Sequence, residues 1–139
     1  MAIIGFAINK IFTEKYKDQK GKVSVQSNIN ITDIKESTMK GLNEGQKALL
    51  YNFEFLADYQ PEIGYVKLQG YISSVEETAE ADKILDEWTK NGTINSELRV
   101  KLYNNAFNKC SPVALLVSRE LKLPSPFPMP KVQQNTKKE

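Results

Sequence analysis

Leu49-Leu50-Tyr51-Asn52-Phe53-Glu54-Phe55-Leu56-Ala57-Asp58-Tyr59 and, five residues later, Tyr65-Val66-Lys67-Leu68-Gln69-Gly70-Tyr71-Ile72 decide the fold. In the first run Leu49, Tyr51, Phe53, Phe55, Ala57 and Tyr59 share one face, while Asn52, Glu54 and Asp58 share the other with Leu50 and Leu56. In the second, Val66, Leu68, Gly70 and Ile72 alternate with Tyr65, Lys67, Gln69 and Tyr71. Side chains of a strand point to opposite faces in turn, so each run is a strand with one dry and one mixed face. The strands cover residues 48–59 and 65–73, joined by the turn Gln60-Pro61-Glu62-Ile63-Gly64. A one-residue slip would send a whole apolar set to the wrong side. Matching the apolar sets pairs Phe55 with Leu68, Tyr51 with Ile72, and Phe53 with Gly70 across a hairpin loop of ordinary length. Phe53 then lies over the bare backbone of Gly70, which protects a glycine inside a strand.

Upstream, residues 3–13 form a first strand, with Ile4, Phe6 and Ile8 on one face. In residues 23–33, Val23, Val25, Ile29 and Ile31 alternate with Ser24, Gln26, Asn28 and Asn30, the pattern of a strand wet on one side. Lys35 to Gly45 has a loop composition. Downstream the period changes. Ser73 and Ser74 stand three residues before Glu76 and Glu77, the capping-box spacing. Ala81, Ile84, Leu85 and Trp88 follow at helical spacing, and Asn91-Gly92 is a stop, so a helix is expected over residues 75–90. A second helical stretch covers residues 96–121, with Pro112 as a kink or a restart. Residues 123–132, Leu-Pro-Ser-Pro-Phe-Pro-Met-Pro-Lys-Val, must be extended and polyproline-like. Leu123, Phe127, Met129 and Val132 are apolar anchors that would pack this stretch on its own domain; a ligand for an aromatic-lined groove is the other reading. Residues 133–139 read as a disordered tail, leaving a single domain over residues 1–132.

The 139 residues contain no His, one Cys and one Trp, with net charge +2. Without His, Ser-His-Asp and Cys-His catalysis is excluded, and one Cys makes neither an internal disulfide nor a four-Cys metal site. Only Arg99 and Arg119 among the 19 cationic residues are Arg, which speaks against base-edge reading in nucleic acid. The Lys10, Lys15, Lys17, Lys20 and Lys22 cluster is interspersed with Glu14 and Asp18 and reads as a solvated connection. No apolar run reaches a membrane span, and the start lacks a secretory pattern, so the cytoplasm is the expected compartment.

The remaining candidate chemistries have plainer explanations. Gly41-Leu42-Asn43-Glu44-Gly45 lacks the Lys-Ser/Thr of a phosphate loop. Asp82 and Asp86 stand one helical turn apart but supply too few oxygens for a cation cage. Cys110 falls on an apolar helix stripe with no basic neighbour to activate it. No catalytic residue, metal or cofactor is expected. The mixed face of the two central strands is the candidate surface: Leu50, Leu56, Tyr65 and Tyr71 would form a Tyr-bearing apolar patch suited to another polypeptide or to a second copy of the chain.

Three stretches resemble the SecB-like family of protein-export chaperones and their relatives. Phe6-Ala7-Ile8-Asn9-Lys10-Ile11-Phe12-Thr13 is similar to that family's opening strand. Cys110-Ser111-Pro112 through Arg119-Glu120 is similar to its Cys-Pro helix, and Leu123-Pro124 to Pro130 to the Leu-Pro motif that follows. The pattern is closer to small archaeal members than to the bacterial chaperone. The resemblance implies an α+β fold: a four-stranded antiparallel sheet with helices packed on one face. It also implies binding of unfolded polypeptide in apolar grooves and assembly as an oligomer. The chain departs from the family in the helix over residues 75–90, in ending soon after the Pro-rich segment, and in lacking the acidic outer strand surface used toward a translocase. The expected function is therefore non-enzymatic polypeptide binding, with a structural or adaptor role toward one fixed partner as the alternative and nucleic-acid binding third.

Overall fold

The computed structural model describes residues 2–18 and 21–126. The expected tail over 133–139 and the anchors Phe127, Met129 and Val132 lie outside the described residues.

Four strands, β1 (Ala2–Lys15), β2 (Ser24–Ser37), β3 (Gln46–Gln60) and β4 (Gly64–Glu77), precede two helices, α1 (Thr78–Asn91) and α2 (Ser96–Glu120). The fold is α+β: an antiparallel sheet in the order β1-β4-β3-β2, with both helices on one face. The central hairpin has the register set by the apolar alternation, with Phe55 opposite Leu68, Tyr51 opposite Ile72 and Phe53 opposite Gly70. The helix-covered face holds Tyr51, Phe53, Phe55, Ala57 and Tyr59 from β3 and Val66, Leu68 and Ile72 from β4, all buried.

Both edge strands carry bulges, and these break the simple alternation. On β1 the pairing with β4 shifts between Ile3 and Gly5 and again between Ile8 and Lys10. Phe6 and Ile8 face the core as expected, but the first bulge turns Ile4 out, and it is 44% exposed. On β2 the shift falls between Ile31 and Asp33.

The expected helix start at residue 75 is corrected to Thr78, and β4 runs on to Glu77. Val75 pairs with Ala48 and Glu77 with Gln46, so the ladder claims the backbone of the supposed capping box. Ser74 and Glu76 are buried instead: the Ser74 hydroxyl lies 3.2 Å from the Tyr51 hydroxyl and 3.3 Å from a Glu76 carboxylate oxygen. Helix α1 starts without a side-chain cap on Glu77, and the N–H of its first residue, Thr78, donates to the Gly45 carbonyl. Likewise Lys35 to Ser37 pair with β3 and belong to β2, not to a loop.

Helix α1 ends as its sequence indicates, on Gly92 in the left-handed region at φ 65°, its N–H donating to the Trp88 carbonyl. Helix α2 starts on Asn95, whose side chain accepts from the Leu98 N–H at 2.8 Å. It continues through Pro112 as one helix. Its buried residues, Leu98, Leu102, Ala106, Cys110, Ala114 and Ser118, recur every fourth position. The last four are small, so that half of the helix can lie close on the sheet. Phe107, one step off this ridge, and Leu116, two steps off it, remain exposed.

After α2 the chain turns back. The Leu123 N–H donates to the Ser118 carbonyl, and Leu123 is buried as the expected anchor. The Tyr59 hydroxyl donates to the Pro124 carbonyl at 2.7 Å, and the Ser27 hydroxyl to the Pro126 carbonyl at 2.8 Å. This start of the Pro-rich segment packs on its own domain.

Gly70 holds β1 in place. A Cβ built on it would stand 2.0 Å from the Ala7 carbonyl oxygen, a backbone atom that cannot step aside. Gly70→Ala is expected to destabilise the chain by at least about 1–3 kcal/mol, the ordinary cost of overpacking. A thermal melt lowered by several degrees is the expected result; an unchanged midpoint would contradict the packing. Burial also pushes the Tyr51 and Tyr59 hydroxyls up to about 12 from the usual 10. Because the folded state resists their ionisation, stability present below pH 10 should be lost as pH rises toward 12. Tyrosinate absorbance should show Tyr51 and Tyr59 ionising late and together with unfolding; ionisation of every tyrosine near pH 10 in the folded chain would count against it.

Candidate polypeptide-binding surface

The face of the sheet opposite the helices is left uncovered by the described residues, and its side chains fall in rows across the four strands. One row reads Phe12, Lys67, Leu56, Asn28; the next reads Glu14, Tyr65, Asp58, Gln26. Moving the other way come Lys10, Gln69, Glu54, Asn30, then Ala7, Tyr71, Asn52, Asp33, then Gly5, Ser73, Leu50, Lys35. All four predicted residues, Leu50, Leu56, Tyr65 and Tyr71, lie on this face and are half-buried among their neighbours.

They do not form one patch. Leu56 and Tyr65 are diagonal neighbours at one end, Leu50 and Tyr71 at the other. Between them runs a polar rung in which the Gln69 amide donates to a Glu54 carboxylate oxygen at 3.1 Å. Asn9, Lys10, Thr32 and Asn52 surround this rung in a shallow depression of about 370 Å³. Asn9 and Thr32 are the bulge residues of the two edge strands, so the depression lies where both edges are interrupted.

The Leu56–Tyr65 end is larger than the sequence indicated. Phe12, 43% exposed, joins it with the Lys67 ammonium 5.8 Å from its ring centre. The Tyr16 ring, 55% exposed, lies 6.2 Å from that of Tyr65. Strict alternation puts Phe12 with Phe6 and Ile8 on the helix side; the bulge at Asn9 moves it to the open face. Asn9 and Lys10, polar residues interrupting an apolar strand, are the one sequence signal of that switch.

A second concavity lies on the other face, between β2 and α2. Ser27, Asn28, Ile29, Phe55, Tyr103, Asn104 and Phe107 line a groove of about 250 Å³, with mostly apolar walls. Sequence reasoning missed it because its walls come from two strands and a helix about 50 to 80 residues apart in the chain.

The other candidates are used structurally. Asp82 accepts from Lys47 at 2.7 Å and Asp86 pairs with Lys90 at 3.1 Å, so each carboxylate faces a lysine rather than the other. Among the described residues no three His, Cys, Asp or Glu side chains converge to hold a metal ion. Lys15 pairs with Asp18 at 3.1 Å within the basic cluster. Cys110 is fully buried, and burial pushes its thiol up to about 12. Among the described residues no helix is long and apolar enough to cross a membrane.

No protein-family model matches the chain, and no curated protein matches it in sequence. Among solved structures it is similar to the Mycobacterium tuberculosis Rv1957 SecB-like chaperone, in complex with a ChAD peptide from the Rv1956 HigA1 antitoxin. The two are 6% identical with a TM-score of 0.54, over 96% of this chain and 91% of that chain. The SecB-like expectation thus holds for the fold.

A thiol reagent reports on this packing directly. At pH 8 the Cys110 thiol should stay protonated and shielded, because burial disfavours the thiolate. Labelling in the native chain should be at least a hundredfold slower than in denaturant; equal rates would place Cys110 at an accessible site.

Proposed function

We propose that the chain is a non-enzymatic, cytoplasmic polypeptide-binding protein of the chaperone type. The observation that carries this reading is the sheet face that the described residues leave uncovered, with Phe12, Tyr16, Leu56 and Tyr65 gathered at one end. Leu50 and Tyr71 at the other end supply a second, smaller contact. Aromatic groups with a polar tip suit a surface that must hold apolar segments and remain wettable when empty. Neither apolar burial nor backbone pairing at an edge strand reads side-chain identity closely, so the binding is tolerant of sequence. The peptide-bound state of the SecB-like neighbour supports the same reading. A structural or adaptor role with one fixed partner is the competing outcome, favoured by the polar rung of Gln69 and Glu54, which a partner would have to match.

Aggregation suppression of a denatured client separates the two. The chain is expected to protect at micromolar concentration, and Phe12→Ser with Tyr65→Ser to weaken protection about three- to tenfold, the loss of roughly 1 kcal/mol of aromatic contact. Leu50→Ser should have a smaller effect. Recovery of a single partner together with no protection of any client would favour the adaptor.

A further inference from the structure

The apolar residues of the open face fall into two ends, and the strands measure the distance between them. Leu56 and Leu50 stand six residues apart on β3, and Tyr65 and Tyr71 six residues apart on β4. Each span is about 20 Å at ~3.3 Å per strand residue. An extended chain laid along β3 and β4 covers that distance in the same six residues. Its alternate side chains, at i, i+2, i+4 and i+6, turn toward the sheet. With i and i+6 over the two apolar ends, i+2 and i+4 come down on the surface between.

That surface is polar and carries both signs of charge. Lys10, Gln69 and Glu54 follow one another across β1, β4 and β3. The Gln69 amide takes one Glu54 carboxylate oxygen and leaves the other as an acceptor in the depression. Asn9, Thr32 and Asn52 add groups that both donate and accept. An apolar side chain pressed here removes water from these groups and returns no hydrogen bond, which is costly. An acidic side chain meets Glu54, and a basic one meets Lys10. A neutral amide answers both, with its carbonyl toward the Lys10 ammonium and its NH2 toward the Glu54 oxygen.

We infer that the open face prefers extended segments with a large apolar residue at i, another at i+6, and Asn or Gln at i+2 and i+4. This preference rests on the polypeptide-binding reading of the face and specifies its ligand. It sets the surface apart from a plain apolar one: a segment apolar at all four positions is more hydrophobic yet binds less well here. Each apolar end alone gives a weak contact. A segment of the right reach engages both, and the second contact is then made within one complex.

Fluorescence anisotropy with labelled synthetic peptides tests this. The peptides carry Phe and Leu at a spacing of four, six or eight positions in a Ser and Gln background. The spacing of six is expected to bind at least about fivefold more tightly than the others, because only it engages both ends. At that spacing, Leu, Glu or Lys in place of the two sheet-facing Gln residues should each weaken binding at least about threefold. Glu54→Leu with Gln69→Leu should turn the preference from Gln to Leu. Leu50→Ser with Tyr71→Ser should abolish the preference for a spacing of six. Equal affinity across the spacings, or tighter binding of the Leu-substituted peptide by the unaltered chain, would overturn the inference and leave polypeptide binding in place. Failure of every peptide to bind at micromolar concentration would overturn it as well; the broader reading falls with it only if no denatured client is protected. The spacing and Gln series are read on the unaltered chain, so they stand when a variant does not fold.

Discussion

Two aromatic rings meet above a residue that has no side chain. Phe6 of β1 and Phe53 of β3 stack 5.2 Å apart at an interplanar angle of 21°, although β4 runs between their strands. They can do so because Gly70 of β4 leaves the space beneath them empty. The same vacancy lets the Ala7 carbonyl come so near that a Cβ would collide with it. Much of β1 depends on this approach. The bulge at Asn9 adjoins the contact, and it sets the parity of every later residue on the strand. Phe12 owes its place on the open face to that shift. A packing detail at one glycine thereby reaches the surface proposed to bind polypeptide.

The central hairpin was legible in the sequence because its alternation is strict and its two apolar sets have only to be matched. The stop at Gly92 was legible for a similar reason, since it rests on one residue with a local preference. What failed were readings in which a local signal met a tertiary competitor. Ser73, Ser74, Glu76 and Glu77 have the spacing of a helix start, but β3 offers each a ladder partner, and pairing along a sheet outweighs one capping interaction. Ile4 followed Phe6 and Ile8 in the pattern, yet an inserted residue is invisible to a period of two. The open-face residues were placed on the correct side, while the polar rung dividing them depends on Gln69 and Glu54 facing each other across two strands.

The two sides of the sheet differ in what they ask of a ligand. The open face is broad, shallow and mixed, with aromatic weight at one end. The groove beside α2 is mostly apolar, and Phe107, which stands off the buried ridge of the helix, is part of its wall. That ridge uses Ala106, Cys110, Ala114 and Ser118 to bring the helix down on the sheet. Cys110 is thereby explained as a small apolar filler, which is the commonest use of a lone buried thiol.

The bulges on the edge strands limit how the protein can be copied by its surroundings. The longest uninterrupted pairing stretch of β1 is Lys10–Lys15, six residues. A strand laid along that edge would find its register broken at Asn9 and again at Ile4, and would be twisted away from the sheet at each. For the polypeptide-binding role proposed above, a continuous edge would carry the hazard of seeding a growing stack of chains. An interrupted edge accepts a short segment and offers no template for the next.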